Sequence, residues 1–349
     1  MTTIRHIAEI AGVSIGTVDR VLHGRGKVAQ ATEARVRRAI AETAYKPNVF
    51  ARTLKLGRRF RFGVVMPYPE QDGGYWRLPL HGVERAGREL ASQKVETIPL
   101  FFDKYGDGLP GDFFGRIADT KPDGLLVAPI LTRLFIDFFS SLPDRIPYVF
   151  FDSDLPGLHP LCVITQNAHR SGRLAAELLS KIMREETEVA VVKVMPDDYH
   201  LAARVEGFLA YMASAGRRAH VHEAEIGRDP DSIHRVLSVC RTRYPRLGGL
   251  FVTNALTYRV AQAVDRMQMH PRPALVGYDL IQANAGWLQR GGIDFIISQQ
   301  PEMQGYLGIR QLYRHVVLNE PPDARVSIPL DIITRENMSR NTENPDKEG

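Results

Sequence analysis

The chain is 349 residues long, too long for a single small core and suited to two or three compact units. Apolar residues make up 44% and charged residues 24%, ordinary values for a globular chain, and no run of ~18 apolar residues occurs, which argues against a membrane-spanning helix. The net charge of +5 is uneven: residues 1–61 hold 13 Lys and Arg against four acids, a local +9 that leaves the remainder at −4. A basic module on a mildly acidic body is the footprint of a polyanion binder joined to a second function.

Ile4, Ile7, Ala8 and Ala11 recur at helical spacing, and Thr3 ahead of them predicts an N-cap. Gly12-Val13 breaks that helix. Ser14 caps the next, which turns Val18, Val21 and Leu22 inward and Ile15, Gly16, Asp19, Arg20 and His23 outward. Two short helices joined by a tight turn predict a helix-turn-helix, whose second helix enters a major groove. A third helix over 32–43 points Val36, Ala39 and Ile40 inward and Arg35, Arg37 and Arg38 outward. Residues 24–29 fit the dinucleotide pattern G-x-G-x-x-A, but a helix precedes them where that motif needs a strand. They read instead as a connection whose Arg25, Lys27 and backbone N–H groups meet phosphates.

The run Ile7-Ala8-Glu9-Ile10-Ala11-Gly12-Val13-Ser14, followed by Thr17-Val18-Asp19-Arg20-Val21-Leu22, Tyr45-Lys46-Pro47-Asn48 and Ala51-Arg52-Thr53-Leu54, closely resembles the headpiece of the LacI family. The resemblance implies that Ile15, Gly16 and Arg20 face base edges and that Ser14, Thr17 and Lys27 hold the backbone. It also implies a hinge helix over 48–55 that begins at Asn48 and carries Leu54 as an apolar wedge for a minor-groove base step. Ile15 and Gly16 lack the hydrogen-bonding groups of many relatives, which leaves Arg20, bidentate to a guanine, as the strongest base reader. Asp19 is open to three roles: orienting Arg20, accepting from a cytosine amine, or repelling phosphate.

Beyond residue 61 the pattern changes. Apolar runs cover 62–67, 95–102, 124–130, 146–152, 161–166, 189–195, 221–226, 249–254, 274–279 and 295–299. Amphipathic stretches lie between them at 76–91, 170–183, 201–213, 232–241, 258–267 and 302–316. Continuous apolar strands alternating with helices predict an α/β body of two doubly wound parallel-sheet lobes sharing a cleft at their strand ends. The expected organisation is a headpiece at 1–47, a hinge and linker at 48–61, a two-lobed ligand-binding and dimerisation body at 62–337 and a polar tail at 338–349. Cys162 and Cys240 sit in apolar runs without metal-ligand neighbours and read as buried thiols of a reducing compartment.

Polar and aromatic residues stand just past several strands: Tyr75, Trp76, Asp152, Asn254, Asp279 and Gln299, with Arg204 near the start of a helix. Aromatic faces stack on a sugar ring, and carboxylates, amides and a guanidinium hydrogen-bond its hydroxyls, so this set suits a small neutral polyol. Gln166-Asn167 leading to Ser171-Gly172-Arg173, Arg204-Val205-Glu206-Gly207-Phe208, Val276-Gly277-Tyr278-Asp279 and Ser298-Gln299-Gln300-Pro301 resemble the sugar-binding fold shared by LacI-type core domains and periplasmic ribose-binding proteins. The resemblance implies that Tyr75 and Trp76 stack the sugar and that Asp152, Arg204, Asn254, Asp279 and Gln299 bind its hydroxyls. Ser153 stands where the ribose proteins carry an arginine, and Ala255 where an acid is common, which leaves the identity of the sugar, ribose included, open.

The expected function is a DNA-binding transcriptional regulator whose grip on a pseudo-palindromic double-stranded operator is controlled by a small sugar. No cofactor, metal or catalytic residue is expected, since no Walker loop, strand-borne glycine fingerprint, metal cluster or nucleophile elbow occurs. The tail carries no leucine heptads, which predicts a homodimer and no tetramer. The opening residues show no apolar signal core, so a cytoplasmic protein without membrane contact is expected. A sugar-binding protein of the transport or chemosensing type would share the cleft but has no use for the basic headpiece.

Overall fold

The computed structural model describes residues 3–23, 26, 28–43, 58–106, 109, 111–141, 146–194 and 198–338. Two compact units divide the chain, Met1–Arg58 and Arg59–Gly349.

Among the described residues the smaller unit holds three helices, α1 (Ile4–Ala11), α2 (Ile15–His23) and α3 (Gln30–Glu42). Thr3 accepts a hydrogen bond from the His6 N–H at 3.3 Å, and Ser14 Oγ accepts from the Thr17 N–H at 3.2 Å, so both predicted caps form. Gly12, at φ 63°, closes α1 in the left-handed region and lets the chain turn directly into α2. Ile7, Ala8, Ala11, Val18, Val21, Val36 and Ala39 form the core. Within each helix they fall at i, i+3 or i+4 or side by side on one face, so three short apolar stripes meet in one core.

The larger unit is built from two six-stranded sheets. Its strands are β1 (Phe60–Pro67), β2 (Val95–Phe102), β3 (Gly124–Val127), β4 (Tyr148–Phe151), β5 (Cys162–Gln166), β6 (Glu188–Lys193), β7 (Ala219–Glu223), β8 (Leu247–Val252), β9 (Ala274–Tyr278), β10 (Phe295–Ser298), β11 (Arg325–Ile328) and β12 (Asp331–Ile333). Its helices are α4 (Arg77–Leu90), α5 (Phe113–Asp119), α6 (Thr132–Ser141), α7 (Ala168–Ile182), α8 (Tyr199–Ser214), α9 (Ser232–Arg243), α10 (Thr257–Arg266), α11 (Gln282–Gln289) and α12 (Pro301–Val316), with a short helical turn at Gln71–Gly74. The first sheet runs β11-β5-β4-β3-β1-β2 and the second β12-β10-β9-β8-β6-β7. All neighbours are parallel except β10 and β12. Read position by position, β1 to β5 of one lobe correspond to β6 to β10 of the other.

Ten strands coincide with the ten apolar runs. β11 and β12 carry no such signal, because they are short edge strands with partly exposed residues. Among the helices, α5, α6 and α11 are the ones the amphipathic reading passes over. Helix α12 packs on α4 in the first lobe although it follows the whole second lobe in sequence. The chain therefore passes between lobes three times, after β5, after β10 and between β11 and β12. Gln166 sits at the first crossing and donates from Nε2 to the Ser298 carbonyl at 2.8 Å and the Pro329 carbonyl at 2.7 Å, tying all three crossings together.

Each lobe contains one tightly apposed helix pair, α4 on α12 and α7 on α8. A Cβ on Gly82 would stand 1.9 Å from the Glu302 carbonyl oxygen, and one on Gly172 1.9 Å from that of Arg204. Only glycine admits backbones this close. Among the described residues no helix is long and apolar enough to cross a membrane.

Candidate functional site

On the headpiece, Ile15, Gly16 and Arg20 lie exposed on one face of α2, with Ser14 exposed at its start and Thr17 half-buried beside them. Arg20 lies back along its own helix, donating from Nε to the Gly16 carbonyl at 3.2 Å. Its Nη2 is 3.5 Å from Thr17 Oγ1. These contacts hold the Arg20 side chain against the exposed face of its own helix. Arg35, Arg37 and Arg38 of α3 are exposed as well. Lys27, Asn48 and Leu54 lie outside the described residues.

The second site is the cleft between the two lobes of the larger unit. All seven predicted ligand residues, Tyr75, Trp76, Asp152, Arg204, Asn254, Asp279 and Gln299, line one cavity. The free volume they enclose is about 20 Å³, room for little more than a water molecule. Asp152 follows β4 and Asp279 follows β9, the matching strands of the two sheets. Both adopt left-handed backbone, at φ 68° and 60°, a conformation aspartate tolerates better than most residues. The turn aims each carboxylate across the strand ends into the cleft.

Arg204 is 1% exposed and stands in the second turn of α8, further along than the sequence pattern suggests. Its Cζ lies 3.8 Å from the centre of the Tyr278 ring. Nη1 donates to the Thr253 carbonyl at 2.6 Å and Nη2 to Gln299 Oε1 at 2.7 Å. Gln299 in turn donates from Nε2 to Asp279 Oδ2 at 2.9 Å and from its backbone N–H to Oδ1 at 3.2 Å. The chain of bonds from Arg204 through Gln299 to Asp279 fixes three predicted residues as one rigid wall. Across the cleft, Tyr75 donates its hydroxyl to Asp152 Oδ1 at 2.5 Å. Trp76 donates from Nε1 to Asp72 Oδ2 at 2.8 Å, and its ring packs edge-on against Tyr75 and Phe151. Gln304 of α12 spans the lobes: its Oε1 accepts the Asp152 N–H at 2.8 Å and its Nε2 donates to the Gln299 carbonyl at 2.8 Å.

The same cavity holds Asp72, Lys104, Asp198 and His200, which the sequence reading misses. Lys104 Nζ donates to Asp72 Oδ2 at 2.8 Å, and the Tyr105 hydroxyl meets the other Asp72 oxygen. His200 Nδ1 stands 2.7 Å from Asp198 Oδ1, and its Nε2 stands 4.0 Å from Asp152 Oδ2. The rule that flags Asp152, polar residues one to five positions beyond a strand, also finds Lys104 beyond β2 and Asp198 beyond β6. It flags many surface loop residues too, which is why it does not single these out.

Burial opposes the charge of Lys104, but Asp72, Asp198 and Asp152 outweigh it and hold the ammonium above the ordinary lysine value. Burial would lift the Asp198 carboxyl, but His200, Lys104 and Arg204 together hold it below the ordinary aspartate value. Asp279 is different: burial dominates, aided by Asp152, and lifts it to about 7 despite Arg204 and Gln299. Among the described residues, three buried polar atoms of the cleft have no hydrogen-bond partner, Asp198 Oδ2, Arg204 Nε and Asn254 Nδ2, while His200 Nδ1 has the Asp198 oxygen at 2.7 Å. Buried polar groups rarely stay unpaired, so donors and an acceptor directed at one small cavity describe the outline of a polar ligand. Groups of three or more His, Cys, Asp or Glu able to hold a metal ion are absent among the described residues. Cys162 and Cys240 are buried free thiols whose pKa values burial raises to about 11, so they are held as thiols.

A two-lobed parallel α/β body with a polar cleft at its strand ends defines a small-molecule binding protein, here joined to a three-helix headpiece. The chain belongs to the family described as periplasmic binding protein domain, which matches residues 62–320, and carries ahead of it a domain of the bacterial regulatory proteins, lacI family, matched over residues 3–48. It is 39% identical over 129 residues to the HTH-type transcriptional regulator AscG of Escherichia coli, a match covering 37% of each chain. It is 32% identical over 222 residues to the sucrose operon repressor of Klebsiella pneumoniae, covering 61% of this chain and 62% of that one. These matches thus span less than two thirds of either relative. In fold it resembles an ABC transporter solute binding protein from Agrobacterium vitis bound with alpha-D-tagatopyranose, with a TM-score of 0.72 at 21% identity over 80% of this chain and 96% of the other.

Proposed function

We propose that the chain is a transcriptional repressor that binds a pseudo-palindromic operator as a homodimer and changes its grip when a small sugar occupies the cleft. The observation that supports this reading is the convergence of Tyr75, Trp76, Asp152, Arg204, Asn254, Asp279 and Gln299 on one buried cavity, in a chain whose N-terminal unit matches the lacI family. Both relatives named above are regulators by name, one of them a sucrose operon repressor, and the reading assigns the cleft no catalysis.

On this reading Arg20 contacts a guanine while Ser14, Thr17 and Lys27 meet phosphates, and the segment from Asn48 carries Leu54 into the central minor groove. Sugar bound between the lobes favours the closed arrangement. Closure couples to operator affinity by ~1–3 kcal/mol through the dimer and the hinge segment. The protein acts in the cytoplasm, on nucleoid DNA.

A mobility-shift titration of the full chain on DNA upstream of its own gene, with and without a panel of pentoses and hexoses, tests the reading. The expected result is a specific complex whose affinity changes at least ~5-fold with one sugar. Specific binding that no sugar alters removes the effector role, and failure to bind any upstream DNA removes the regulator.

A further inference from the structure

Asp72, Gly73 and Gly74 hold left-handed backbone in succession, at φ 53°, 71° and 90°. Glycine enters that region freely, but aspartate does so at a cost that the contacts around the turn must offset. The Asp72 side chain is 5% exposed and lines the cleft, yet its bonds go to the chain itself. Oδ2 accepts from Trp76 Nε1 and from Lys104 Nζ, each at 2.8 Å, and Oδ1 accepts from the Tyr105 hydroxyl. Three of the roughly four acceptor positions of a carboxylate are thus filled.

These partners face two ways. Trp76 and Lys104 line the cavity; Tyr105 does not, and meets the second lobe instead. A Cβ on Gly227 would stand 2.0 Å from Tyr105 Cζ, so the ring rests directly on second-lobe backbone. The turn makes a second such contact: a Cβ on Gly73 would stand 2.8 Å from Tyr258 Cε1 and 2.9 Å from Ile281 Cδ1, both of the second lobe. Since the cavity offers about 20 Å³, a sugar ring is admitted only as the lobes part. What separates then is Tyr105 from Gly227 and Gly73 from Tyr258, and Asp72 stands between those contacts and the Trp76 indole.

Resting on the sugar-effector reading above, we infer that Asp72 is a positioning residue that links the Trp76 face of the cavity, through Tyr105, to the seating of the first lobe on the second. Tyr105 resting on Gly227 sets the Asp72 carboxylate, and the carboxylate sets the indole. Lys104, held on the same oxygen as the indole, moves with it. Parting the lobes releases all three side chains together.

The chain has two tryptophans, so a Trp287→Phe background leaves Trp76 as the sole indole reporter. In the full chain on that background, acrylamide quenching of Trp76 emission is measured without sugar, and calorimetry is run with ribose, arabinose, glucose and galactose. Tyr105→Phe keeps the ring on Gly227 and removes only the hydroxyl. It is expected to raise Trp76 quenching at least ~2-fold and to weaken the sugar that binds at least ~5-fold, although Tyr105 does not line the cavity. Asp72→Asn tolerates the left-handed backbone and should do at least as much. The double variant should be no worse than Asp72→Asn alone, because both changes cut one link. Unchanged quenching in Tyr105→Phe, or losses that multiply in the double variant, overturns the inference while leaving the sugar-effector reading standing. Silence of the native chain across all four sugars overturns the sugar reading. The quenching then decides the link from Asp72 to Trp76: a rise in Tyr105→Phe upholds it, and no rise overturns it too.

Discussion

Gly172 of α7 approaches Arg204 of α8 so closely that a Cβ at Gly172 would stand 1.9 Å from the Arg204 carbonyl oxygen. The glycine fixes the height of α8 over α7, and thereby the position from which the Arg204 guanidinium reaches Thr253, Gln299 and the cleft. Gly172→Ala must push the helices apart. It is expected to destabilise the protein by ~2–4 kcal/mol and to weaken sugar binding, read by thermal melting and calorimetry. Gly82→Ala makes the same clash against Glu302 in the other lobe, away from Arg204. It should cost similar stability with a smaller loss of affinity. Equal binding losses in both variants would detach Gly172 from the site.

Arg204 sits over the Tyr278 ring, its Cζ 3.8 Å from the centre, while its two terminal nitrogens serve different elements. Lysine keeps the charge but neither the planar stack nor the fork. Arg204→Lys is therefore expected to lower sugar affinity at least ~10-fold, with Gln299 released from its orientation toward Asp279. Affinity within a factor of two of the native protein would show that the guanidinium geometry is dispensable.

Asp279 gives the protein a signed pH dependence. Its carboxyl titrates at about 7 in the folded chain, against 3.8 for an ordinary aspartate. Between those values the folded state keeps a proton that the unfolded chain has lost. Stability from this group thus falls as pH rises through the window and levels off above about 7. Asp279→Asn removes the titration and tolerates the left-handed backbone. The slope of Tm against pH between about 5 and 8 should flatten in the variant while sugar affinity drops. An unchanged slope would place the proton elsewhere.

Closure of the cleft has a contact of its own. From the second lobe, the exposed Arg228 donates to the Tyr105 carbonyl at 2.9 Å and the Gly106 carbonyl at 3.0 Å in the first lobe. Neither residue lines the cavity. Arg228→Ala should raise the sugar Kd by ~3- to 10-fold with little change in Tm, since the bonds exist only when the lobes are together. A Kd unaltered by the substitution would mean that this latch does not contribute to closure.

On the headpiece, Arg20→Ala should weaken specific operator binding by ~1–3 kcal/mol and relax preference at one base pair, while the salt slope stays nearly constant. Mobility shifts at several salt concentrations separate the two. A uniform loss on all sequences, with a shallower slope, would make Arg20 a phosphate contact.

Much of this was written locally. Thr3, Gly12 and Ser14 bound the first two helices by capping chemistry, which depends only on neighbours a few residues away. Ten strands were legible because burial on both faces makes each one a continuous apolar run. Asp152 and Asp279 stood out because polar residues immediately after such runs face the strand-end cleft of this architecture. Edge strands β11 and β12 were not legible, since half-exposed short strands leave no periodic mark.

The sequence by itself determined the caps, the strand runs, the charge division between headpiece and body, and most of the polar residues of the cleft, because each depends on short-range pattern. Only the tertiary structure decided that α12 returns to the first lobe, that Gln166 and Gln304 join the crossings, and that Lys104, Asp198 and His200 enter the cavity. Those facts depend on which strand ends meet across two lobes. That is a property of how far-apart segments pack, and neighbouring residues carry no record of it.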